Sequence, residues 1–144
     1  MSEKNKAVIR HFYADVFAVG TMNIAVIDHY LTDDFTGHDL PSGLNGRDGY
    51  KKFVGMFSAS FGETTPIEAH QIISCGDKVV ARWSGSGMHT GEFMGIPATG
   101  RWITLKGIDI FGLAEEKIVD LWQEMDLMGI LQQISLPVNV KCKT

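Results

Sequence analysis

A chain of 144 residues, 44% of them hydrophobic, has the size of a single domain with a substantial core. Its formal net charge of −4 and lack of a basic stripe exclude a general nucleic-acid binder, and no apolar run approaches the roughly 18 residues of a membrane span. The charged, amphipathic start MSEKNKAVIRHFYADVF has no secretory h-region, so the expected location is cytoplasmic.

Residues 3–18 place Val8, Phe12 and Val16 at helical spacing, flanked by Ile9, Tyr13 and Phe17. That pattern predicts an amphipathic helix, which Gly20 ends. A short helix is expected over 23–30, with Ile24 and Ile27 facing inward. LTDDFTGHDLPSGLNGRDG, rich in Gly, Asp and Pro, reads as loop. A third helix follows over 47–61, with Tyr50, Phe53, Val54, Phe57 and Phe61 on one side. After Pro66 the period switches to two, giving strands over 67–75, 78–90, 101–113 and 118–126. LMGILQQI returns to helical spacing and closes a single domain over 1–137, leaving 138–144 as a frayed tail. Helices followed by antiparallel strands give an α+β fold, in which a curved sheet wrapped on the early helices leaves a cavity. Cys75 and Cys142 lie far apart and without a local motif. They read as free thiols in a reducing compartment, with a disulfide left open.

Within 102–111, the alternate positions Ile103, Leu105, Gly107, Asp109 and Phe111 share one strand face. Three of these five are large hydrophobes, so Asp109 is a carboxylate on a buried face. Such a group is costly unless paired, hydrogen-bonded or protonated, and proton transfer is the first functional reason to keep one. The plain structural alternative is a carboxylate satisfied by backbone amides or a histidine. On the last strand Val119, Leu121, Gln123 and Met125 form the matching set. If the two strands are neighbours, Gln123 meets Asp109 inside one apolar space, as in a small-molecule site. Gln123 reads equally well as a polar core residue bonded to Asp109.

The inner face of the long strand before them carries Trp83, Gly85, Gly87 and His89. Its glycines leave space, which makes Trp83 the candidate for ligand contact. His89, just before GEFMGIPATG, either orients that loop or lines the entrance. Phe17, Phe53, Phe57, Phe61 and Phe111 supply wall and core. The outer faces set Trp102 and Trp122 among charged residues, which suits either a homodimer interface or ordinary surface aromatics. No His, Cys, Asp or Glu set has metal-ligand spacing, and the glycines of GEFMGIPATG do not precede a helix as a phosphate loop would. Neither metal nor cofactor is expected.

Two stretches, GDKVVARWSGSGMHTGEFMGIPATGRWITLKGIDIF and KIVDLWQEMDLMGILQQI, resemble the SnoaL-like polyketide cyclases (ester cyclases) of the nuclear-transport-factor-two-like superfamily. HTGEFMGIPATGR is a specific signal, whereas the N-terminal helix, LTDDFTGHDL and GRDGYKKFV fit more loosely. The resemblance implies a cone: three N-terminal helices closing a strongly curved, mixed, mostly antiparallel sheet around an apolar pocket. It also implies, for some members, aldol closure of a polyketide ester without metal or cofactor. In the family's cyclases an aspartate on the last strand acts as general acid/base near a histidine on the preceding strand. Aligned without gaps from KIVDLW, that aspartate falls on Gln123 and that histidine on Asp109.

The enzyme implied has Asp109 as the base, removing a proton alpha to the carbonyl of a small, apolar, polyketide-like molecule. Gln123 and His38, the latter where pocket-mouth residues sit, would steady the oxyanion. Trp83, His89, Phe57, Phe111 and Leu121 would contact substrate. The alternative is a small-molecule-binding module without turnover, which the glutamine at 123 favours.

Overall fold

The computed structural model describes residues 2–18, 20 and 22–135, so the tail 138–144 and Cys142 lie outside the described residues. Ile9, Phe12, Tyr13 and Val16 recur at helical spacing along α1 (Ser2–Val16) and all are buried. The helix therefore lays one apolar stripe on the sheet. The next turn is a 3-10 helix (Ile24–His29) that buries Ile27, a common form for so short a connector. α2 (Arg47–Ser60) begins after an extended Gly46 and buries Tyr50 and Val54.

Two strands lie where the sequence reads as loop and helix end. LTDDFTG forms β1 (Leu31–Gly37), whose buried Leu31, Phe35 and Gly37 alternate around an exposed Asp33-Asp34 pair. It pairs in parallel with the last strand, at the edge of the sheet, where charged outward residues are common. FGET forms the short β2 (Phe61–Thr64) directly after α2. The remaining strands are β3 (Glu68–Cys75), β4 (Lys78–His89), β5 (Trp102–Ala114) and β6 (Lys117–Met125), followed by α3 (Leu127–Ser135).

The sheet order is β1-β6-β5-β4-β2, with β3 also paired to β4. β3 takes the first half of β4 and β2 its end, so one edge of this long strand serves two neighbours. Side-chain parity holds across the three central strands. Their register sets three inward rows: Trp83–Gly107–Met125, Ala81–Asp109–Gln123 and Val79–Phe111–Leu121. The third row is sealed by α1, whose Phe12 and Tyr13 rings both lie 5.9 Å from that of Phe111. The first two rows face the helices across a gap, and that gap is the site. α3 is clamped to the start of β5 through Gln133, which accepts from Thr104 N–H at 2.8 Å and donates to Thr104 C=O at 3.0 Å. No helix among the described residues is long and apolar enough to cross a membrane.

Candidate active site

Asp109 is 2% exposed. The register sets it directly opposite Gln123, whose Nε2 donates to Oδ1 at 3.0 Å. Tyr13 reaches across from α1 and donates its hydroxyl to Oδ2 at 2.7 Å. Burial dominates and pushes the Asp109 carboxyl up to about 6, against the lowering effect of hydrogen bonds from Tyr13 and Gln123 and the smaller pull of the Trp83 indole N–H, which is turned toward the carboxylate without forming a hydrogen bond to it. The Tyr13 hydroxyl moves the opposite way from a reactive phenol. Burial first, then the nearby carboxylate, drives it well above its ordinary value, so it stays a donor. Tyr50, wholly buried beside the same carboxylate, is raised as well.

These groups line an inner cavity of about 50 Å³ whose other walls are Phe17, Met22, Phe53, Phe57, Ile67 and Leu105. That volume holds only a few water-sized groups. Outside it lies an apolar groove of about 390 Å³, bounded by Leu40, Met56, Phe93, Met94 and Leu127. Phe53, Phe57, Gln123 and Met125 line both spaces and form the partition between them. A carbon acid entering the inner cavity would meet a carboxylate with a pKa near neutrality, held by two donors and screened from water. This is the environment a general base requires.

Of the eight residues given a role as base, oxyanion partner or substrate contact, four meet here, Asp109, Gln123, Trp83 and Phe57, beside the expected wall residues Phe17 and Phe53. Phe111 and Leu121 do not. They share the inward face but lie one row beyond Asp109, packed under α1 at 1% and 2% exposure. His38 is also elsewhere, because β1 runs beside β6 and delivers it to the outer face of the sheet. There its ring stacks on Trp122 at 4.4 Å and its Nε2 lies 2.8 Å from Asp120 Oδ1. His89 is fully buried rather than at the entrance. Its Nδ1 accepts from the Thr99 backbone N–H at 3.2 Å, its ring packs on Phe61, and it fastens the two ends of the 90–101 excursion. Tyr13 is the functional side chain that periodicity hides, since it reads as one more ring in the apolar stripe of α1. Among the described residues no three His, Cys, Asp or Glu side chains cluster to hold a metal.

A model of the SnoaL-like polyketide cyclases matches residues 7–134, nearly the whole chain. The chain belongs to the SnoaL-like polyketide cyclase family. Among SnoaL-like relatives, the nogalonic acid methyl ester cyclase of Streptomyces nogalater is 27% identical over 124 residues, 85% of this chain and 92% of that protein. TsrD from Streptomyces laurentii is also 27% identical and superposes with a TM-score of 0.80, covering 94% of this chain and 97% of that one. AclR from Streptomyces galilaeus, at 18% identity, shares the fold with a TM-score of 0.80 over 99% of this chain and 87% of its own. The curled α+β half-barrel is thus the SnoaL-like cone, and family membership supports a cyclase- or isomerase-type role.

Proposed function

We propose that this SnoaL-like protein is a cofactor-independent cyclase or isomerase in which Asp109 is the general base toward an apolar, polyketide-like carbonyl compound. The observation that carries this reading is a single carboxylate, 2% exposed, held by Tyr13 and Gln123 against an apolar cavity. With a pKa pushed up to about 6, Asp109 is mostly ionised at neutral pH yet more basic than a free carboxylate, which favours proton abstraction. Asp109 would take the proton alpha to the carbonyl. The C–H electron pair becomes the enolate double bond, and the carbonyl π pair moves to oxygen. The enolate carbon then attacks a second carbonyl to close a ring, the π pair of that carbonyl moving to its oxygen, which takes the proton back from Asp109. In an isomerisation Asp109 instead returns the proton to another carbon.

The test uses nogalonic acid methyl ester, the compound named for the Streptomyces nogalater relative. The wild-type protein is expected to close its ring. Asp109→Asn is expected to lose at least about 10²-fold, the lower end of what general-base catalysis supplies. An undiminished rate in folded Asp109→Asn refutes the assignment. Gln123 favours a second reading, a binding module without turnover, because an amide stands where the family's cyclases carry the acid/base. That reading requires ligand affinity indifferent to both Asp109→Asn and Gln123→Asp.

We also propose that the outer sheet face joins two copies of the chain. Ile108 and Ile110, 47% and 38% exposed, floor a shallow depression with Trp122. Lys78 rims it on one side and Asp39 and Glu124 on the other. A twofold axis over such a patch sets each rim against its opposite charge. Sedimentation velocity is expected to show a dimer that Ile110→Lys dissociates; a wild-type monomer at high concentration refutes it.

A further inference from the structure

Among the described residues three buried side-chain polar atoms have no hydrogen-bond partner: Thr64 Oγ1, Trp83 Nε1 and His89 Nε2. Of these residues only Trp83 lines the inner cavity. The residue is 5% exposed, and an indole nitrogen can only donate. Tyr13 already donates to Asp109 Oδ2 and one N–H of the Gln123 amide to Oδ1, while the Trp83 N–H is turned toward the same carboxylate without bonding to it. Tyr50 also lines the cavity, but its hydroxyl is not among the buried atoms left without a partner. Burying an unmet donor is unfavourable, and such an atom calls for an explanation beyond packing.

The position of the ring is built into the sheet. Trp83 pairs with Gly107 across β4 and β5, and the indole lies flush over that glycine. A Cβ at 107 would sit 2.8 Å from Trp83 Cζ2 and 2.6 Å from the Glu124 carbonyl oxygen, so only glycine leaves the ring where it is. The next inward residue along β5 is Asp109. One row of the sheet thus offers a fixed neutral donor and the next a carboxylate.

We propose that the indole N–H of Trp83 receives the carbonyl oxygen of the ligand and holds the charge that develops there while Asp109 removes the neighbouring α-proton. The ligand class is an enolisable ketone or ester. Its carbonyl head fills the inner cavity, and its body extends past Phe53, Phe57 and Met125 into the outer groove. The inference rests on Asp109 as base. When the C–H bond breaks, its proton passes to an Asp109 oxygen and its electron pair forms the enolate C=C. The carbonyl π pair moves to the oxygen facing Trp83 Nε1. Reversal returns a solvent-derived hydron to carbon, so no oxidant or reductant is required.

The probes are acetophenone and α-methylstyrene, which match in shape except that the second has =CH2 in place of the carbonyl oxygen. Binding is followed by ¹H–¹⁵N spectra of the three indole groups, with the Trp83 signal assigned by elimination from Trp102→Phe and Trp122→Phe. The wild-type protein is expected to bind acetophenone roughly two- to tenfold more tightly than α-methylstyrene, the ratio one net hydrogen bond gives. The Trp83 N–H resonance should move downfield with the ketone only. In Trp83→Phe the preference should vanish while α-methylstyrene affinity is kept.

A preference that survives in Trp83→Phe, a wild-type protein that ignores the carbonyl, or one that takes up neither compound overturns the proposal. The wild-type resonance decides the matter even if the variant does not fold. Deuterium exchange into the acetophenone methyl group, compared between wild type and Asp109→Asn, reads the base separately. A Trp83-dependent preference without exchange leaves the donor in place and removes the base.

Discussion

Asp109→Asn should make the protein more stable at neutral pH while removing its proposed base, because the site holds an ionised group against its preference. The carboxyl titrates near its ordinary 3.8 when the chain is unfolded and at about 6 when folded. The folded state therefore holds the proton more tightly, and this group's stabilising contribution is full below pH 3.8 and lost as pH rises through 6. The gap of about two pKa units corresponds to roughly 3 kcal/mol of stability forgone above that range. About 1 kcal/mol of the loss falls between pH 5 and pH 7. An asparagine amide resembles the protonated acid at every pH. Its oxygen can accept from Gln123 and its NH2 can donate to the Tyr13 oxygen, which turns from donor to acceptor.

The assay is urea unfolding of both proteins at pH 5, 6, 7 and 8, followed by far-ultraviolet circular dichroism. The stability difference, variant minus wild type, should grow by about 1 kcal/mol or more between pH 5 and pH 7 and then level off. A difference that is flat with pH would refute the reasoning, because it would mean that Asp109 does not leave water at a cost.

Tyr13→Phe deletes the donor to Oδ2 and should raise the Asp109 pKa further, moving its carbon-13 titration and the acid limb of any rate profile to higher pH; an unmoved midpoint counts against the bond. Gly107→Ala places a methyl group 2.8 Å from the Trp83 ring. It should destabilise the fold by roughly 1–3 kcal/mol as an overpacked core does and shift Trp83 emission, whereas Gly46→Ala, with open space around its Cβ and an ordinary negative φ, should leave that emission alone.

Sequence periodicity reached the central strands because each is long and buries one face. Parity alone sets Asp109, Gln123 and Trp83 on the inner side of the sheet. It does not tell how far along that face a residue lies from the helices, so Phe111 and Leu121 read as lining although α1 covers their row. β1 escaped because two exposed aspartates break the apolar alternation of a strand whose partner, β6, is 80 or more residues away. His38 was misplaced with it. Tyr13 left a legible trace: a buried tyrosine hydroxyl needs a partner, and Asp109 was the one carboxylate placed on an apolar face.

The two bonds that hold the carboxylate close at different ranges along the chain. Gln123 is 14 residues from Asp109, across a β5–β6 hairpin with a tight turn, whereas Tyr13 is 96 residues away on α1. The hairpin can zip while its carboxylate is still wet and charged; the docking of α1 is what strips that water away. The penalty of confining the charge thus falls on one helix rather than on the strands beneath it. Above about pH 6, where the carboxylate is charged, the seating of α1 is the contact expected to weaken.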